Sequence, residues 1–191
     1  MDKIWAKIYI LCMILEEISK ILDEFKPKRK QDSVAIMAIK EAISAIRNGG
    51  WGIGAILVDN QSGKIICRGQ NKTMRSDWHA EMDLLNKFED EHQDKKARKE
   101  LLSQCTLITS LEPCPMCLCR IIAARVGAVY YVAPDAPGGM VHLFNNLPDS
   151  WKELAKDKIY TQADCSDELV KIAAEVFQFV LSDERKKQYV K

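Results

Sequence analysis

The stretch Leu111-Glu112-Pro113-Cys114-Pro115-Met116-Cys117 decides how the rest of the chain is read, together with Trp78-His79-Ala80-Glu81 upstream of it. If a helix opens at Pro115, the thiols of Cys114 and Cys117 project from one side of its first turn and can grip a single ion. His79 offers a third ligand of intermediate softness. One histidine and two cysteines, with the fourth place open to water, is the arrangement of a catalytic zinc; structural sites close all four positions. No obvious fourth ligand is found. His92 lies in the charged run Glu89-Asp90-Glu91-His92-Gln93-Asp94 and is expected to face solvent, while His142 stays a candidate.

Glu81 follows His79 by two residues, a spacing that points the two side chains to different sides of a regular helix. It therefore reads as a neighbour of metal-held water rather than as a ligand. Such water ionises near neutral pH, and a carboxylate beside it can take the proton and deliver it to a leaving group, which is hydrolytic chemistry. A Cys-x-x-Cys alone also suits a redox pair or half of a structural zinc clip, and a His-x-Glu alone carries no information. Joined, the two are specific.

His79-Ala80-Glu81 with Pro113-Cys114-x-x-Cys117 resembles the zinc-dependent cytidine deaminase-like superfamily, over a stretch from about Ile53 to Ala133. The resemblance implies zinc held by His79, Cys114 and Cys117, with Glu81 as the proton shuttle. It also implies that Asn71 hydrogen-bonds the substrate and that the peptide at Ala80 holds the substrate's polar edge. The wording Pro-Cys-Pro-Met-Cys-Leu is similar to guanine deaminases, whereas the Asp135 turn and the long last helix look like bacterial tRNA adenosine deaminases. The chain departs from both families. Trp78 stands where tRNA-editing relatives carry a small residue, and Cys119-Arg120 replaces a small pair. Trp78 either stacks on a base or fills space, and His142 either lines the mouth of the site or sits in a polar rim.

Composition narrows the partners. The chain has 191 residues and a formal net charge of +1, so it lacks the basic excess typical of proteins that grip phosphates, although local patches remain open. Two of the seven cysteines are claimed by the metal and the others show no framework spacing, which points to reduced thiols and a cytoplasmic location. The apolar run Ile8 to Leu15 follows lysines in the manner of a signal peptide, but Glu16 and Glu17 come at once and the run is too short to span a bilayer.

In order along the chain, Ile4, Ile8, Leu11, Leu15, Ile18, Leu22 and Phe25 form one stripe of an amphipathic helix that ends at Pro27. The helix is expected to pack on its own domain, ahead of a coiled-coil dimer or a membrane-surface role. Lys26 to Lys30 then reads as a basic linker. Asp32 or Ser33 is expected to cap a second helix, stopped by Asn48-Gly49-Gly50. Ile53 to Val58 and Lys64 to Cys67 read as a hairpin. A helix from about His79, strands near Thr106 to Thr109 and Ala128 to Val132, a helix from Pro115 to Arg125, a fifth strand at Lys158 to Tyr160 and a last helix capped by Asp164 or Ser166 complete the pattern.

The expected fold is a three-layer α-β-α arrangement, with a mixed sheet of about five strands and an added N-terminal helix. Residues 1–30 form the helix and linker, and 31–191 the deaminase domain. The expected function is zinc-dependent release of ammonia from a free nucleobase or nucleoside of guanine or cytosine type. Deamination of adenosine in tRNA is the alternative, marked by the basic clusters Lys26 to Lys30 and Arg185-Lys186-Lys187. A non-catalytic zinc-stabilised binding module comes third. A homodimer and no membrane association are expected.

Overall fold

A computed structural model of the chain describes residues 3–74 and 78–181, with side chains from residue 9 onward. Asp77 and the Arg185-Lys186-Lys187 cluster lie outside the described residues. In chain order the elements are α1 (Lys3–Glu24), α2 (Asp32–Arg47), β1 (Gly54–Asp59), β2 (Ile65–Gln70), α3 (Ala80–Glu91), α4 (Lys95–Ser103) and β3 (Cys105–Leu111). There follow α5 (Pro115–Ala124), β4 (Ala128–Ala133), α6 (Asp149–Leu154), β5 (Ile159–Gln162) and α7 (Asp167–Gln178).

The five strands lie in the order β2-β1-β3-β4-β5. β1 runs antiparallel to β2 and to β3, whereas β3, β4 and β5 are mutually parallel, so the sheet is mixed as expected. Period-two alternation sends the side chains of β1 to both faces. Ile56 and Val58 join the layer of α1, α2 and α7, while Ala55 and Leu57 join the layer of α3, α4 and α5. Helices thus cover both faces of the sheet.

The N-terminal helix packs on its own domain. Leu15, Ile18 and Leu22 are buried in the same cluster as Ile39, Ile43 and Val176, while Tyr9, Ile10, Met13 and Ile21 stay exposed on the other side. Among the described residues no helix is long and apolar enough to cross a membrane.

One expected cap is corrected. Gln31, not Asp32 or Ser33, is the N-cap of α2, and Asp32 stands inside the first turn. Its carboxylate is taken by groups outside the helix. Oδ2 accepts from Lys28 N at 2.7 Å and Arg29 N at 2.9 Å, and Ser166 donates to it through both N (2.6 Å, to Oδ1) and Oγ (2.7 Å, to Oδ2). Ser166 caps α7 by position but makes no side-chain capping bond of its own, since its hydroxyl is committed to Asp32. Asp32 is therefore a latch between the starts of α2 and α7.

Candidate active site

The parallel pair β3 and β4, joined through α5, delivers the cysteine segment to one end of the sheet. Glu112 N donates to the Ala133 carbonyl at 2.9 Å, so the pairing continues one step past β3 before the chain turns into α5. Pro115 occupies the first turn of α5 and Cys114 its N-cap, while His79 is the N-cap of α3. Neither residue uses its side chain to cap, which leaves both to face each other.

His79 Nδ1 lies 3.5 Å from Cys114 Sγ and 3.5 Å from Cys117 Sγ. Tetrahedral zinc with Zn–S of about 2.3 Å and Zn–N of about 2.0–2.1 Å requires an N···S separation of about 3.5 Å. The donor set and its spacing fit that ion. Among the described residues no fourth His, Cys, Asp or Glu joins the three. Hydrogen bonding from Cys117, with help from His79, holds the Cys114 thiol down to about 4, against its burial. The same contact with Cys114, together with burial, pushes Cys117 well up. His79 is raised by its bond to Cys114.

Glu81, on the first turn of α3, is 3 % exposed and accepts a hydrogen bond from Thr109 Oγ1 of β3 at 3.1 Å. Burial raises its pKa. It is held beside the metal trio without joining it, as the His-x-Glu spacing predicts.

A cavity of about 420 Å³ opens from this floor. His79, Glu81, Cys114 and Asn71 are among its lining residues. Trp51, Ile53, Leu111 and Phe177 supply apolar wall, and Lys72, Glu112 and Asp135 supply charge. Asn71 is 6 % exposed and its Oδ1 accepts from Trp51 N at 3.1 Å. Glu112 is also almost wholly buried. Its Oε2 accepts from Asp135 N at 3.1 Å, and its Oε1 accepts from His142 N at 2.8 Å and lies 2.9 Å from His142 Nδ1. The carboxylate thereby pins the loop after β4 against the cysteine segment.

The residues singled out in the sequence separate into two groups. His79, Glu81, Cys114 and Asn71 line the cavity, and Cys117 completes the metal trio behind them. Trp78, Ala80 and His142 are not among the lining residues. Lys72 Nζ lies 5.1 Å over the Trp78 ring, Ala80 is fully buried in the α3 layer, and His142 is tied to Glu112. His92, expected in solvent, stacks on Phe88 with ring centroids 4.1 Å apart. Trp51, Phe177, Thr109 and Glu112 were not identified as site residues from sequence. Only Glu112 carried a signal, its place in the quoted motif. The others come from segments whose patterns speak of turn, core helix and buried strand.

The model of the cytidine and deoxycytidylate deaminase zinc-binding region matches residues 28–133. The tRNA-specific adenosine deaminase of Bacillus subtilis (strain 168) is 39% identical over 117 residues, covering 58% of this chain and 66% of that enzyme. The guanine deaminase of the same strain is 41% identical over 91 residues, covering 44% of this chain and 51% of that enzyme. The chain thus spans 66% of one curated relative and 51% of the other. A solved structure from studies of A-to-I editing by tRNA:A34 deaminases at the wobble position of transfer RNA superposes with a TM-score of 0.58 and 29% identity. That alignment covers 73% of this chain and 94% of that one.

Proposed function

The chain belongs to the cytidine and deoxycytidylate deaminase zinc-binding family, which makes it a zinc-dependent deaminase by class, and from that premise we propose its substrate: a free nucleobase or nucleoside of guanine or cytosine type. The observation that carries the reading is the buried Glu81 carboxylate beside three zinc-suited donors, in the lining of a cavity of about 420 Å³ that has room for a base or nucleoside. His79, Cys114 and Cys117 would hold the zinc, which would supply Lewis acidity at this place. Glu81 takes one proton from the attacking water and passes it to the ring nitrogen. It then takes the second from the hydroxyl added to the ring carbon and passes it to the departing ammonia, which leaves a carbonyl and restores the carboxylate. Burial favours its protonated form, which suits a group that must hold a proton between transfers. The Thr109 hydroxyl keeps the carboxylate turned toward the trio.

Charge selects against a phosphate inside the cavity. Glu112 and Asp135 line it, and Lys72, also in the lining, is bonded to Asp83 at 2.6 Å. A base or nucleoside fits such a lining better than a nucleotide. The basic linker Lys26 to Lys30 precedes α2, whose 16 residues span about 24 Å before Trp51 is reached, and within it Arg29 is bonded to Asp167 and the Cys165 carbonyl.

Adenosine deamination in tRNA is the second reading, favoured by the 39% identity to the Bacillus subtilis tRNA-specific enzyme. Ammonia release by zinc-loaded protein, measured on guanine, cytosine, adenine, their nucleosides and unmodified tRNA, decides between the two. Turnover of one free compound is the expected result. Turnover of tRNA alone reverses the order, and none across the panel leaves the binding-module reading.

A further inference from the structure

Residues 48–53 and 70–73 are stitched together at the mouth of the cavity. Asn48 Nδ2 donates to Gln70 Oε1 at 3.0 Å, Thr73 Oγ1 to the Gly49 carbonyl at 3.1 Å, and Trp51 N to Asn71 Oδ1 at 3.1 Å. Asn71 N in turn donates to the Ile53 carbonyl at 3.0 Å. Gln70 is anchored from α2, its Nε2 reaching Glu41 Oε2 and Ser44 Oγ. The seam is tight. A Cβ on Gly50 would come 2.1 Å from the Asn71 carbonyl oxygen, and Gly52, at φ 69°, would place one 2.8 Å from the Val176 carbonyl oxygen of α7. The backbone of Trp51 is therefore set by α2, the end of β2 and α7 together. From that fixed base its side chain lines the cavity and remains 38% exposed.

We propose that Trp51 is a substrate-binding and specificity-determining residue: its indole is the face on which a planar base stacks, and its N–H sets which way the Asn71 amide is turned. The inference deepens the deaminase reading and rests on it. An amide group that accepts from a backbone N–H must present its oxygen there, which leaves the Asn71 Nδ2 as the donor for the ring. The base read at this site therefore offers an acceptor, a ring nitrogen or carbonyl oxygen, to Asn71. A rigid aromatic wall suits this task because little freedom remains to be lost on binding. Stacking grows with ring overlap, so a purine gains more from Trp51 than a pyrimidine does. Trp78, the tryptophan next to the metal histidine, is held by Lys72 outside this lining.

Two measurements test the inference. Zinc-loaded Glu81→Gln protein, titrated with guanine, adenine, cytosine and their nucleosides, should show quenching of tryptophan fluorescence that disappears when Trp51→Phe is added. In the active enzyme Trp51→Ala should raise KM about ten- to a hundred-fold, the scale of one stacked base, with kcat within a few-fold and zinc content unchanged. Trp51→Phe should recover most of that loss. Unchanged KM in Trp51→Ala, quenching that survives Trp51→Phe, or no quenching by any compound overturns the role of Trp51. Quenching lost with Trp51→Phe but no turnover by wild type sustains the stacking role and removes the deaminase reading. Turnover with an unaltered KM in Trp51→Ala does the reverse.

Discussion

The inner end of the cavity and its mouth are built in opposite ways. At the inner end His79 with Glu81, and Cys114 with Cys117, come from two short segments that each open a helix. Helix geometry alone places each pair, and the helix N-termini favour thiolate and developing negative charge. Toward the mouth, where Trp51 is exposed, the lining of Trp51, Asn71, Asp135 and Phe177 comes from four separate stretches, which meet only because long-range bonds hold α2, β2, the loop after β4 and α7 in register. The metal-suited donors sit in local motifs here, and the rest of the cavity wall depends on tertiary packing. The two ends should therefore fail independently.

The largest effect belongs to the ligands. Cys114→Ser should cost the protein its stoichiometric zinc, read by elemental analysis, and bring deamination to background. Full zinc content in that variant would break the comparison at its inner end. Glu81→Gln is expected next in size. It should retain zinc yet lose about 10²–10⁴-fold in kcat, the range of general acid-base catalysis, and retained activity would remove the assigned role.

The smallest effect probes the mouth through the frame. Asp32 joins the starts of α2 and α7, the helices that carry Trp51 and Phe177 toward the cavity. Burial works against its ionisation, but hydrogen bonds from Lys28, Arg29 and Ser166 outweigh it and hold the pKa at about 2. A carboxylate depressed below its ordinary 3.8 contributes stability that is full above that value and is lost as pH falls toward about 2. Asp32→Asn should thus lower the unfolding free energy by about 2 kcal/mol at pH 7, as expected for hydrogen bonds to a buried charge. The gap to wild type should narrow below pH 4. Zinc content should stay at wild type while KM rises more than kcat falls, and a loss of zinc instead would show that the two ends are not separable.

Much of this was legible beforehand, for a physical reason that particular residues show. The hairpin, the strand before Leu111 and the helix from Pro115 follow from period-two and helical spacing, and they stand where the pattern puts them. The cap of α2 was misread because Asp32 has the chemistry of an N-cap but finds stronger partners in the far segment at Ser166. Trp78 drew attention through its place beside His79, and Trp51 did not, since a tryptophan after Gly49-Gly50 carries no periodicity. Its placement depends on Gln70 and Asn71, two strands' length further on.

By itself the sequence pointed to the family, the three residues that could hold a metal, the carboxylate beside them and the order of elements, because each depends on short motifs or on a repeating pattern. The tertiary structure alone decided which tryptophan lines the cavity, which way Asn71 is turned, and that Glu112 is the buried clasp between the cysteine segment and the loop of Asp135. Those depend on where two distant backbones come into contact, and spacing along a chain does not encode that distance.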